Sequence, residues 1–291
     1  PPKDEVLIGG LVFLKNWIIR SEVSDALGKL ILRNPKTNNE EEIVFTDEKV
    51  IVPGISLIQK EKDTDYRIAK LDLMVNSQLD VKGICWPIEH INISGRSGFL
   101  MRAAKGIDLF LLLRKKTLEN EYPQIDRIYI CNIAIRFLTK VKYLHEKDIL
   151  IGDINLMNIW IDVDKTEVYL IDTDSFQVGG FSCPVGSINF TAPEIQGTNF
   201  TTFQRTKEHE YFAIATLLFM IFHAGKTPYS HKGGGDPSQD IRENNFPYPF
   251  GRNVEFETPR GVYENMWNHL SFKMRGAFND VFKIGTRLNI D

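Results

Sequence analysis

Residues 150–176 read LIGDINLMNIWIDVDKTEVYLIDTDSF, and this stretch governs the reading of the whole chain. Asp153 follows the apolar Ile149-Leu150-Ile151 and a glycine, which places it on a loop leaving a buried strand. Asn158 stands five residues later, and Asp172 fourteen residues beyond that, after an apolar strand. A carboxylate on such a loop can orient a hydroxyl or take its proton. An amide oxygen and a second carboxylate can ligate Mg²⁺, which takes few protein oxygens and completes its shell with phosphate and water. Singly, each of the three is an ordinary turn former. In this order, with β-rich residues between them, they are equipment for moving a phosphoryl group from a metal–nucleotide complex to an acceptor.

Composition limits the alternatives. A chain of 291 residues suits one large domain or two lobes. With 43% hydrophobic and 25% charged residues it has the makings of an ordinary globular core. A net charge of −3 argues against a general nucleic-acid or membrane-surface binder, so neither partner is expected. Cys85, Cys131 and Cys183 form no C-x-x-C pair, and so sparse and odd a set suggests a reducing, cytoplasmic setting. No signal segment is visible at the start, and the apolar run near Ala213–Phe222 is too short to span a bilayer. His90, His223 and His231 have no metal-ligand spacing.

The first hundred residues carry strand signals. Trp17-Ile18-Ile19-Arg20, Lys29-Leu30-Ile31-Leu32 and Ile43-Val44-Phe45 are β-rich, with a turn cluster over 34–39. A charged helix is expected over 60–75, with Tyr66, Ala69, Leu73 and Met74 on its apolar face, followed by strands over 85–91 and 98–102. Beyond residue 107 the pattern turns helical. Ile130, Ala134, Phe137, Val141 and Leu144 mark a long amphipathic helix ending near His145. A buried helix over 212–222 and a Gly/Pro-rich stretch over 226–259 follow, with helices returning near Trp267 and Phe278. The expected class is α+β. A small antiparallel-sheet lobe with one helix (1–102) precedes a larger, mostly helical lobe (103–291), and nucleotides are commonly held at interfaces between lobes.

With these motifs in place, the chain resembles the protein kinase superfamily. The catalytic-loop pattern H-R-D-x-x-x-x-N corresponds to Ile151-Gly152-Asp153 through Asn158, the D-F-G motif to Asp172-Thr173-Asp174, and A-P-E to Ala192-Pro193-Glu194 after Gly186-Ser187. The motifs are similar to those of a bacterial branch of eukaryotic-like kinases, often associated with tellurite-resistance-type gene clusters. That branch also has a Gly-Asp catalytic loop and an Asp-Thr-Asp-Ser-Phe motif. The resemblance implies a bilobal kinase-like fold, ATP and Mg²⁺ as cofactors, and a protein substrate. It makes Asp153 the catalytic base, Asn158 and Asp172 the metal ligands, and Asp108 an acidic residue near the ribose. It places Met101 at the back of the adenine pocket, with Arg102 and Ala103 in the hinge backbone. Ser187 would hydrogen-bond Asp153, and Glu194 would pair with Arg275 or Arg287.

The first lobe departs from the family. Where a glycine-rich loop is expected the chain has Val23-Ser24-Asp25-Ala26-Leu27-Gly28, with only Gly28 in place, so less backbone is open to phosphate. For the phosphate-contacting lysine, Lys49 is the candidate if 28–34 and 41–46 form a hairpin, and Lys60 if the strand is 55–59. Its acidic partner is Asp63, Asp65 or Asp72. Gly152 replaces the arginine that pairs with a phosphorylated activation loop, and Asn155 replaces the usual lysine. Activity independent of activation-loop phosphorylation is therefore expected. An ATP-dependent protein Ser/Thr kinase is the first reading, a catalytically weak or inactive binding scaffold the second. A small-molecule kinase is a third, opposed by Gly186-Ser187 and Ala192-Pro193-Glu194.

Overall fold

The computed structural model describes residues 7–13, 18–24, 27–46, 49–51, 55–57, 64–79, 81–93, 96–251, 257–259 and 261–287. The chain divides into two compact units, one of residues 1–80 and 85–104, the other of 81–84 and 105–291. Together they form the α+β architecture expected from the sequence.

In the first unit, β1 (Leu7–Phe13), β2 (Ile18–Ser24), β3 (Leu27–Arg33), β4 (Glu40–Thr46) and β5 (Lys49–Ile51) pair in chain order as one antiparallel sheet. The β3–β4 hairpin is set by its turn. Asn34 Oδ1 accepts from the backbone N–H of Lys36 at 2.9 Å and of Thr37 at 3.3 Å, and Asn38 takes φ 56°, which asparagine tolerates. A second antiparallel sheet has the order β6 (Ile55–Leu57), β8 (Arg96–Met101), β7 (Pro87–Ile93).

The helix of this unit, α1 (Thr64–Ser77), differs from expectation in the face it buries. Leu71 and Met74 are buried, while Tyr66 and Leu73 are exposed. Lys70 is also buried, on the same side as Leu71 and Met74. A charge at that position hides the true stripe from a hydropathy pattern. Trp86 explains why the helix stops where it does. Its indole Nε1 donates to Met74 O at 2.8 Å and to Ser77 Oγ at 3.1 Å, satisfying a terminal carbonyl from a buried ring.

The second unit has a three-stranded sheet of order β11–β10–β9, from β9 (Ile107–Asp108), β10 (Ile159–Asp162) and β11 (Glu167–Leu170). Its helices are α2 (Leu109–Leu112), α3 (Lys115–Asn120), α4 (Arg127–His145), α5 (Lys207–Phe222), α6 (Pro237–Arg242), α7 (Tyr263–Asn268) and α8 (Phe272–Asn279). Asp126 starts α4 by accepting from Tyr129 N at 2.8 Å, and Ala134, Phe137, Val141 and Leu144 form its buried face. Glu167 ties β11 to α4 through Lys140 and also takes Lys82, each at 2.9 Å. Burial works to raise the pKa of Glu167, but the two ammonium groups outweigh it and hold the carboxyl at about 2. Within the Gly/Pro-rich stretch a helix forms over 237–242, because Asp236 caps α6 by accepting from Ser238 N at 2.9 Å and Pro237 starts the helix. No helix among the described residues is long and apolar enough to cross a membrane.

Helix α5 is buried nearly all round, as its unbroken apolar run requires. It packs into an aromatic core with Tyr229, Phe246, Trp267 and Phe282. His223, just past its end, stacks on Phe219 at 3.8 Å and donates from Nδ1 to Phe219 O at 2.9 Å. Its Nε2 is buried without a partner, and burial depresses the pKa to about 4. Below pH 6.5 an unfolded chain binds a proton that the folded one refuses. Stability is therefore expected to fall by about 3 kcal/mol in all as the pH drops from 6.5 to 4. Denaturant titrations across this window check the point: His223→Phe should flatten this part of the pH slope, and an unchanged slope would rule His223 out as its source.

Candidate active site

The loop after α4 is held from below by one carboxylate. Glu210, in the first turn of α5, is 1% exposed and accepts from Ile151 N at 3.1 Å and Gly152 N at 2.8 Å. His145 Nε2 donates to the same carboxylate at 3.0 Å. Leu150 is fixed alongside by a reciprocal backbone pair with Gln177, 3.1 Å and 2.8 Å. Two main-chain donors and a buried imidazole thus converge on a group that could not otherwise be buried as an anion.

This anchoring presents Asp153. Ser187 Oγ donates to its Oδ1 at 3.3 Å and Asn155 Nδ2 to its Oδ2 at 3.1 Å. Asn155 does more, since its Oδ1 accepts from Met157 N at 2.9 Å and Asn158 N at 3.1 Å, capping the short 3₁₀ turn Leu156–Asn158. Asn158 Nδ2 donates to Asp153 O at 3.2 Å, which fixes the orientation of the amide and turns its oxygen away from that carbonyl. Asn158 O accepts from Ile171 N at 3.0 Å, so the loop is tied to the residue before Asp172. A small cavity of about 10 Å³, room for a single water, is lined by Asp153, Asn155, Asn158, Ile171 and Phe176 among others.

Asp172 has φ 57° and ψ 33°, the left-handed region, which costs a β-carbon residue about 1 kcal/mol. The following turn holds it there: Ser175 donates to Asp172 O through its backbone N–H at 3.1 Å and its Oγ at 2.7 Å. Strain kept in place by such bonds is common where a side chain must be aimed.

The remaining candidates are distributed as follows. Asp108 caps α2, its Oδ1 accepting from Leu111 N at 2.8 Å. In the first unit, Gly28 lies in β3 opposite Val23, and Lys49 opens β5 opposite Thr46. Met101 ends β8 opposite Pro87, with Arg102 and Ala103 just after it. Lys60 and Asp63 lie outside the described residues. Asp65 is exposed in the first turn of α1, and Asp72 pairs with His90 at 3.2 Å. Glu194 takes Arg287, not Arg275, in a two-point contact of 2.6 Å and 3.1 Å. Among the described residues no group of three or more His, Cys, Asp or Glu could hold a metal.

Sequence reasoning missed the roles of Glu210 and Asn155. Glu210 had no distinctive signal, because Lys207, Glu208 and His209 make the whole first turn of α5 polar. Asn155 had none, because its partners are mostly backbone groups.

No protein-family model matches the chain. Over 157 residues, 50% of this chain, it is 29% identical to protein kinase YegI of Escherichia coli K12, and the figures are the same for YegI of Escherichia coli O157:H7. Over 152 residues, 47% of this chain, it is 27% identical to the meiosis-specific serine/threonine-protein kinase mek1 of Schizosaccharomyces pombe. The matched stretches span 24% of the bacterial relatives and 33% of the yeast one. The chain is thus similar to protein kinases over about half its length, and the α+β architecture is kinase-like.

Proposed function

We propose that the chain is an ATP-dependent protein serine/threonine kinase, with Asp153 as catalytic base and Asn158 and Asp172 as ligands of Mg²⁺. The carrying observation is the single bonded network that joins Asp153, Asn155, Asn158 and Ser187 and links through Ile171 to Asp172. The donor set fits the metal. Asn158 offers a neutral oxygen whose direction is fixed by its own Nδ2 bond, and Asp172 a charged one. When bound, Mg²⁺ supplies neutralisation of the phosphate charge.

Asp153 orients the acceptor hydroxyl and takes its proton as the hydroxyl oxygen bonds to the terminal phosphorus and the bond to the ADP leaving group breaks. Ser187 and Asn155 hold the two carboxylate oxygens and so fix the direction of attack. Gly28 and one lysine, either Lys49 or Lys60, belong to the proposal as phosphate contacts, Met101, Arg102 and Ala103 as adenine contacts, and Asp108 as a ribose contact. Membership of the bacterial Asp-Thr-Asp-Ser-Phe branch and a cytoplasmic location are also part of it. The likeness to YegI and the sequence Asp172–Phe176 support the branch. One feature favours a non-catalytic scaffold instead: Gly28 is the single glycine between Ile18 and Arg33.

Binding separates these readings. A ligand at a hundred times its Kd adds about 2.7 kcal/mol of stability, so saturating ATP with Mg²⁺ is expected to raise the melting temperature by several degrees. Asp172→Ala should remove the Mg²⁺-dependent part of that rise. A melting temperature unmoved by saturating ATP and Mg²⁺ would sink the catalytic reading.

A further inference from the structure

We propose that Arg205 is a built-in clamp that positions the segment Cys183–Ser187 against the catalytic loop, so that this segment is ordered without covalent modification. The proposal rests on the kinase reading for its functional meaning and on the following geometry for its substance.

Arg205 is 6% exposed. Its Nη1 donates to Cys183 O at 2.7 Å and its Nη2 to Val185 O at 2.6 Å. Two residues after Val185, Ser187 reaches Asp153. The guanidinium therefore fixes the two carbonyls that lead directly into the contact with the base. A planar fork can serve two carbonyls at once, which a single ammonium cannot do with the same geometry.

Arg205 is itself held on three sides. Its N–H donates to Gln177 Oε1 and its C=O accepts from Gln177 Nε2, both at 2.8 Å. Its guanidinium carbon lies 3.8 Å from the centre of the Phe200 ring. Gln177 is the residue whose main chain pairs with Leu150 at the root of the catalytic loop. Burial lowers the guanidinium pKa, and the charges of Glu210 and Asp153 act the other way.

Gly152 completes the arrangement. It has φ +75°, and a β-carbon there would lie 2.5 Å from Cys183 Cβ and 2.7 Å from Cys183 Sγ. Arg205 Nη1 is 3.5 Å from the same point. The space beside position 152 is thus filled from the other side, by Cys183 and by Arg205. Absence of a side chain in the catalytic loop is the condition for the clamp to close.

Amide hydrogen exchange on the wild-type chain, shown by intact mass to carry no phosphate, tests the clamp. The peptide covering 182–191 should exchange slowly in that state. Arg205→Gln and Arg205→Lys should each speed its exchange at least tenfold, with the peptide covering 127–145 unchanged. Gly152→Ala should act in the same direction by displacing Cys183. With dephosphorylated casein as acceptor, Arg205→Lys should raise the KM for casein several-fold while leaving the melting shift with ATP and Mg²⁺ as in wild type. Fast exchange in the unphosphorylated wild type, or unchanged exchange in soluble Arg205 variants, would overturn the proposal. The wild-type measurement decides even if the variants do not fold. Absence of casein phosphorylation by wild type would count against the kinase reading alone, because the exchange arm needs no activity.

Discussion

Asp153→Asn is expected to lower phosphate transfer to casein by roughly a thousand-fold, the middle of the range for loss of a positioned general base. The exchange of oxygen for nitrogen is nearly isosteric. The remaining oxygen can still accept from Ser187, but the new amide nitrogen faces Asn155 Nδ2, donor against donor. That mismatch sits on a half-buried, solvent-reachable group and should cost only about 1 kcal/mol of stability. Rate and stability should therefore separate sharply: initial rates collapse while the denaturant midpoint barely shifts. Transfer within tenfold of wild type would show that Asp153 neither takes nor directs the hydroxyl proton.

The second large effect is on stability. Glu210→Ala leaves the N–H groups of Ile151 and Gly152 and the Nε2–H of His145 without their buried acceptor. Orphaned buried donors cost about 1–3 kcal/mol each, and the cavity left by the lost side chain adds to this. A total loss of about 4 kcal/mol is expected, enough to unfold a marginal domain at physiological temperature. Glu210→Gln should lose less, because its one oxygen can serve some of the three donors while its amide nitrogen opposes another. Equilibrium denaturation of the two variants should rank them wild type, Gln, Ala. Equal stability of all three would mean that the catalytic loop is held by something other than this carboxylate.

These two residues also show what the sequence reveals and what it hides. Asp153 was legible because its chemistry depends on order and spacing along one stretch, with Asn158 and Asp172 at fixed intervals. The strand and helix periods were legible for the same reason: Ala134, Phe137, Val141 and Leu144 repeat with the turn of α4. Glu210 lies far along the chain from the loop it anchors and binds mostly backbone N–H groups. Every residue but proline has such a group, so the partner leaves no mark in the sequence. Arg205 is hidden in the same way, since its partners are the carbonyls of Cys183 and Val185. Asn155 looked like the loss of a lysine, yet it caps the turn at Asn158 and holds Asp153.

The face of α1 failed for a different reason. Lys70 interrupts the inward stripe, and Tyr66 with Leu73 offered a competing one at helical spacing. Hydropathy cannot tell a buried lysine from a solvated one. The phosphate-contacting lysine falls between these cases. The β3–β4 hairpin forms and β5 pairs Lys49 with Thr46 of β4, which keeps Lys49 as a candidate, while Lys60 lies outside the described residues. Substituting each lysine by Ala and comparing the affinity for ATP with Mg²⁺ would choose between them.

Whether the chain is a protein kinase is decided by transfer of labelled phosphate from γ-labelled ATP to dephosphorylated casein. Mg²⁺-dependent label is expected on serine or threonine, reduced to background in Asp172→Ala. No label above that background from a folded wild-type protein would contradict the kinase reading.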